Sequence, residues 1–269
     1  MSDAAQAAAT PAIMRVDHVS VSFGDTKILD DLSFSMEEGN FTCICGPSGC
    51  GKTTIMSVLA GYLAPQSGSC LFDGQPVSGP SPDRLVVFQE NTLFQWMTLW
   101  DNTLFGPRIQ GKNLKEAGEK ARELIHLTGL DGFEGKFPGQ LSGGMQRRAE
   151  LIRTLINEPR ILLMDEPFRG LDAMTRGMMQ EYFLRVFEST RISMLLITSE
   201  LDEAVFMGDV LYLLSTMPTA IKKEMRVDLP RPRLVEHQTC PEFAEIQGEA
   251  FEVLESEALK SFEHVPGGR

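Results

Sequence analysis

The chain has 269 residues, 42% of them hydrophobic, enough for one generous α/β domain with room for an inserted subdomain. Its net charge of -12 argues against a nucleic-acid partner, which needs a basic face. Nucleotides stay open, because backbone amides and one or two cations can hold phosphate locally.

No apolar run is long enough to cross a bilayer, and residues 4–9 are short and uncharged, unlike a signal peptide. A flexible tail over residues 1–12 and a cytosolic chain are expected, with any membrane role reached through a partner. The five cysteines, Cys43, Cys45, Cys50, Cys70 and Cys240, are odd in number, which predicts reduced thiols. Cys43, Cys45 and Cys50 fall in an apolar strand and a loop without nearby His, so packing outweighs metal binding.

Residues 14–23 and 28–36 alternate apolar with polar, as half-buried strands do, and Gly24-Asp25 marks the turn between them. Residues 41–45 form an apolar strand running straight into Gly46. A helix over 53–60, closed by Gly61, precedes short strands at 69–72 and 85–88. From 89 to 159 no strand is evident. Trp96, Trp100, the helix-like run 115–128 and a glycine-rich lead-in to Leu141 predict a helical insertion. The core resumes at 161–164, too apolar to face water on either side. Helix 172–187, strand 194–198, helix 201–207 and strand 210–214 then imply a parallel sheet. Beyond a Pro-rich hinge, Leu229-Pro230-Arg231-Pro232, residues 241–262 spell an acidic amphipathic helix with Phe243, Ile246, Val253 and Leu254 inward.

Three motifs carry chemistry. Gly46-Pro47-Ser48-Gly49-Cys50-Gly51-Lys52-Thr53 fits G-x-x-x-x-G-K-[ST], between an apolar strand and a helix. Its glycines let backbone N–H groups wrap an anion, and Thr54 follows in the same turn. Lys52 brings a mobile positive charge to the β and γ phosphates of ATP, and the Thr53 hydroxyl is a Mg²⁺ ligand. Ile161-Leu162-Leu163-Met164-Asp165-Glu166 delivers Asp165 toward Mg²⁺ and Glu166 as general base for the attacking water. Leu141-Ser142-Gly143-Gly144-Met145-Gln146 makes a second phosphate-binding helix N-terminus. Two such elements in one chain predict an ATPase that closes on its nucleotide.

The order of these motifs over residues 13 to about 232 resembles the ATPase subunits of ATP-binding cassette (ABC) transporters. The fold expected is a P-loop NTPase core with a mainly parallel sheet, an N-terminal antiparallel β subdomain and an inserted helical subdomain over about 89–159. An ATPase domain of 13–233 then precedes a C-terminal helical extension, 234–269. The resemblance implies that Leu141, Ser142, Gly143 and Gly144 cap the γ-phosphate of ATP held by an opposite subunit. It gives Gln89 a role at Mg²⁺ and water, Phe23 a place against adenine, and Asp172 a role across the dimer. A strand-end core position is the other reading of Phe23. Met217-Pro218-Thr219, the run Val227-Asp228-Leu229-Pro230-Arg231-Pro232-Arg233 and Pro167-Phe168 are similar to importers of nitrate, sulfonates and taurine.

The resemblance further implies membrane permease subunits as partners, a second ATPase chain, and indirectly an extracytoplasmic solute-binding protein. The chain would then sit at the cytoplasmic face of the membrane with no nucleic acid. A soluble ABC ATPase acting on DNA or ribosomes and a regulatory nucleotide-binding module stand as alternatives. The chain departs from the family at Ser199, where a His usually contacts the γ-phosphate. Either the hydroxyl still donates one hydrogen bond, or hydrolysis slows. Arg169, where a small residue is usual, reads as a solvated charge or a contact across the dimer. Trp96 and Trp100 read as interface anchors or core, and Met178-Met179 as core filler.

Overall fold

Two runs of alternating apolar and polar residues open the computed structural model, which describes residues 12–263. They pair antiparallel as β1 (Ala12–Phe23) and β2 (Thr26–Glu37). The predicted tail lies outside the described residues, apart from Ala12 at the start of β1. The chain continues as β3 (Phe41–Cys45), α1 (Lys52–Ala60), β4 (Ser67–Phe72), β5 (Gln75–Pro76) and β6 (Arg84–Val87). Three helices follow: α2 (Leu99–Ile109), α3 (Leu114–Leu127) and α4 (Gly143–Leu155). The core alternation then resumes through β7 (Ile161–Asp165), α5 (Ala173–Thr190), β8 (Ser193–Thr198), α6 (Leu201–Met207) and β9 (Val210–Leu214). An edge strand, β10 (Ile221–Arg226), and a long helix, α7 (Pro241–Glu263), complete it.

The strands form two sheets: a four-stranded antiparallel one ordered β2-β1-β4-β5 and a six-stranded one ordered β10-β9-β3-β8-β7-β6. In the larger sheet every pairing is parallel except β10 on β9. The parallel strands are apolar on both faces because both faces are covered. Phe41, Cys43, Leu162, Met164 and Leu196 pack with α5, α6 and the helices between β6 and β7. The alternate residues Ile44, Leu163, Leu195 and Ile197 pack against α1 and the antiparallel sheet. The cysteines stand as free thiols, and burial pushes that of Cys45 up to about 12.

Two expectations need correction. Strand β10 escaped the sequence reading because its residues, Ile-Lys-Lys-Glu-Met-Arg, are mostly charged. An edge strand tolerates this, since charge on a solvent-facing edge also blocks pairing with other chains. The Pro-rich segment, expected as a hinge, is held by side-chain contacts. Arg231 donates to Asp209 at 2.8 Å with its guanidinium over the Phe187 ring, and buried Arg233 donates to the carbonyls of Gly208 and Val227. Helix α7 is then held on α6 and β9 by Phe243 and Ala250, both buried, with Ile246, Val253 and Leu254 packed beside them.

Helix α6 is locked to β8 by the Thr198 hydroxyl, which donates to Glu203 Oε2 at 2.9 Å. Burial pushes the Glu203 carboxyl up to about 7, outweighing the opposing pull of the Thr198 hydrogen bond and Arg176. The folded chain therefore binds this proton more tightly than the unfolded chain. The stability it contributes is full below the unfolded carboxylate range and is lost as pH rises through about 7. Glu203→Gln should thus raise the melting temperature above that of the parent at pH 8, with the gain vanishing below pH 5. A gain independent of pH would contradict this.

A second test concerns Gly68, at φ +81°, where an added Cβ would lie 2.2 Å from the His18 carbonyl oxygen and 2.4 Å from that of Asp17. Both are backbone atoms in the β1–β4 pairing and cannot swing aside. Gly68→Ala should cost about 2–4 kcal/mol in urea unfolding. An unchanged midpoint would show that the two strands part more readily than their register implies.

Candidate nucleotide-binding site

Because β3, β8 and β7 are parallel neighbours, their carboxyl ends open into one crevice. Strand β3 runs into the loop from Gly46, β7 ends in Asp165 and Glu166, and β8 ends in Thr198 and Ser199. The loop turns into α1 at Gly51, whose φ of +95° and 2.7 Å approach of the Ile28 methyl to a would-be Cβ admit only glycine. No side chain caps α1; the Thr54 N–H donates to the Gly51 carbonyl at 2.9 Å, and those of Lys52 and Thr53 are left to meet an anion, as sequence expects of this loop.

Lys52 is only 6% exposed, yet its ammonium is satisfied. It donates to the carbonyls of Gly46 and Pro47 at 3.0 Å each and stands 3.4 Å from Glu166 Oε1. A cleft of about 430 Å³ brings Lys52 together with Ser48, Gly49, Gly51, Thr53 and Thr54, and with Gln89, Asp165 and Glu166. That is ample for a triphosphate. Cys50 and Pro47 line the outer side of the same loop. Burial raises the Asp165 carboxyl above the usual carboxylate range, while hydrogen bonding to Thr53 opposes the shift. A hydroxyl, a carboxylate and an amide are oxygen donors suited to a small hard cation, so Thr53, Asp165 and Gln89 fit Mg²⁺.

Glu166 holds a left-handed backbone, φ +43°, while its N–H donates to the Ile197 carbonyl at 2.8 Å. Such strain in a non-glycine residue persists only where the surroundings impose it. Arg169 is not a free surface charge: its Nη1 donates to Glu166 Oε2 at 2.7 Å. Ser199 borders a smaller hollow next to Glu166, Arg169 and Glu203.

The second helix N-terminus lies elsewhere. Ser142 caps α4 by accepting from the Met145 N–H at 3.3 Å, with Gly143 and Gly144 in the first turn and Leu141 buried behind. Asp172 caps α5 through the Thr175 N–H at 3.0 Å, and hydrogen bonding from the Thr175 side chain, then from this N–H, holds its carboxyl below the usual range. Ser142, Gly143, Gly144 and Asp172 line one hollow, which shares no residue with the phosphate cleft. Both methionines of the pair line it, Met178 exposed and Met179 buried in the core. Phe23 is 56% exposed at the end of β1 and lines neither hollow, which removes the core reading of that ring. The tryptophans also divide: Trp100 packs on the core, and Trp96 is 73% exposed.

Sequence reasoning passed over Arg147. This buried side chain donates to the carbonyls of Phe88 at 2.7 Å and Gln89 at 2.6 Å, and to Glu150 Oε2 at 2.6 Å. Glu150 in turn accepts from the Thr92 N–H. The Arg147–Glu150 spacing on the inner face of α4 was the available signal.

Comparison with known proteins agrees with this geometry. A family model described as ABC transporter matches residues 29–169. A Methanocaldococcus jannaschii protein described as an uncharacterized ABC transporter ATP-binding protein is 42% identical over 235 residues, 87% of each chain. The taurine import ATP-binding protein of Ruegeria pomeroyi is 39% identical over 80% of this chain and 82% of its own. Other relatives are named as nitrate and aliphatic-sulfonate import ATP-binding proteins. Among solved structures, a nucleotide-free ATP-binding cassette superposes with a TM-score of 0.70 at 26% identity, over 88% of this chain and 98% of that one. The α/β core, the antiparallel sheet and the inserted helices are those of such cassettes, and the chain belongs to the ATP-binding cassette (ABC) transporter family.

Proposed function

We propose that this chain is the ATP-binding and hydrolysing subunit of an importer of the nitrate, sulfonate and taurine type, powered by closure of two such chains around ATP. One observation carries the reading: the phosphate cleft and the Ser142–Asp172 hollow share no lining residue. We read the two hollows as half-sites, so that a nucleotide in the cleft meets the Ser142 helix end of a second chain. The relatives named as importers of taurine, nitrate and aliphatic sulfonates support the solute class.

In this account the loop from Gly46 to Thr54 wraps the β and γ phosphates with the N–H groups of Ser48, Gly49, Gly51, Lys52 and Thr53, and Lys52 exchanges its two loop carbonyls for phosphate oxygens. Thr53, Asp165 and Gln89 would hold Mg²⁺, which when bound would supply charge neutralisation at the phosphates. Glu166 accepts a proton from water as the water oxygen attacks the γ-phosphorus. The bond to the bridging oxygen breaks, giving ADP and phosphate. The Ser199 hydroxyl donates one hydrogen bond to the γ-phosphate. Ser142, Gly144 and Asp172 of a second chain close the site, while Phe23 of the nucleotide-holding chain meets the adenine. Through Arg147 on the carbonyls of Phe88 and Gln89, movement of α4 reaches the Gln89 segment, where Trp96 offers an exposed aromatic anchor to a permease subunit. Among the described residues no helix is long and apolar enough to cross a membrane, which fits attachment through that permease at the cytoplasmic face. An extracytoplasmic binding protein would deliver the solute.

A slow-turnover regulatory module is the second reading, favoured by a hydroxyl at Ser199 where a chargeable imidazole is usual. Turnover separates the two. The purified chain should hydrolyse ATP with Mg²⁺, and Glu166→Gln should lower turnover by at least about a hundredfold while ATP still binds. Turnover unaffected by Glu166→Gln would overturn the base assignment, and absent turnover in the parent with binding intact would favour the regulatory reading.

A further inference from the structure

Arg169 stands where the phosphate cleft meets the smaller hollow beside Ser199, and it lines both. The turn after β7 places it there. Its N–H donates to the Glu166 carbonyl at 3.2 Å, and its guanidinium doubles back to Glu166 Oε2 at 2.7 Å. The other oxygen of the same carboxylate, Oε1, is 3.4 Å from Lys52 Nζ. Glu166, only 8% exposed, therefore has both oxygens engaged by cations. The Arg169 guanidinium thereby occupies an acceptor position on Oε2 and competes there with any water presented to that oxygen.

The two cations differ. Lys52 is buried against loop carbonyls, whereas the Arg169 side chain is 59% exposed on a flexible stem. A guanidinium has five N–H donors in a planar fork, which matches phosphate as well as carboxylate and never loses its charge. Arg176, the other cation of the smaller hollow, donates to the Leu171 carbonyl at 3.2 Å and does not line the phosphate cleft. Ser199, across that hollow, has a hydroxyl and no charge.

We propose that Arg169 senses the γ-phosphate: without it the guanidinium keeps Glu166 engaged, and the γ-phosphate of ATP draws it away, releasing the base. A terminal phosphate carries more charge than one carboxylate and accepts the same two-pronged hydrogen bonds, so the exchange is downhill. ADP attracts Lys52 to its β-phosphate but leaves the Arg169–Glu166 pair intact. The base is thereby held back from the product complex. This inference rests on the proposed function, in which Glu166 is the base.

The test is the affinity of the purified chain for ATP and for ADP by calorimetry, in the parent, Arg169→Gln and Arg169→Lys, each repeated with Glu166→Gln. Arg169→Gln should weaken ATP about tenfold while ADP changes less than about twofold, and Arg169→Lys should recover part of the loss. The ATP-selective loss should be larger with Glu166→Gln, where no carboxylate competes for the guanidinium. Equal effects on ATP and ADP, or none, would overturn the proposal. So would a loss that disappears with Glu166→Gln, since Arg169 would then only neutralise Glu166. A parent chain that binds neither nucleotide removes both readings. Glu166→Gln hydrolysing ATP at the parent rate, with the selective loss intact, removes the base assignment and leaves the γ-phosphate contact standing.

Discussion

Everything at the site depends on three parallel strands, β3, β8 and β7, ending side by side. Their residues alternate between two close-packed apolar layers, so a strand that slid or flipped would disrupt the packing of both layers at once. That rigidity fixes the uncapped start of α1 opposite Asp165 and Glu166. It also lets a buried ammonium, Lys52, remain satisfied by carbonyls that are interchangeable with phosphate oxygens. A positive site is thus held ready without an unpaired charge in the interior.

The second constraint is separation. The helices between β6 and β7 carry Ser142, Gly143 and Gly144 on a different hollow from the phosphate cleft. Both hollows are nevertheless bordered by the short segment after β7, where Arg169 lines the cleft and Gly170 the other hollow. In the proposed function, movement in this segment would reach Glu166 through Arg169 and the Ser142 hollow through Asp172. On the opposite flank Arg147 and Glu150 tie α4 to the Gln89 segment with buried, charge-assisted bonds. The Gln89 wall of the cleft and the position of α4 are therefore tied together by side-chain bonds.

Much of this could be read from the residues alone. The phosphate loop, the strand leading to Asp165 and Glu166, and the helix opening at Ser142 are local patterns in which sequence neighbours are also neighbours in space. The parallel core followed from strands too apolar to face water. What stayed hidden depends on contacts distant in sequence or on unusual backbone. The pinning of the Pro-rich segment needs Asp209 and Glu188, and the merit of β10 as an edge strand is visible only once β9 is in place. The pairing of Arg169 with Glu166 spans three residues, yet it requires the left-handed turn at Glu166, which no side-chain pattern announces. The departures at Ser199 and Arg169 were both noticed in the sequence. Their common wall next to Glu166 was not.

The central claim is that a complete site needs halves from two chains. Lys52→Ala disables the phosphate loop and leaves Ser142 intact, and Ser142→Arg does the reverse, so each chain alone should be inactive. Mixed, their heterodimers hold one complete site, and ATPase activity should return to about a quarter of that of the parent. An inactive mixture in which tagged heterodimers are recovered would contradict the account, and so would full activity of Ser142→Arg as a monomer.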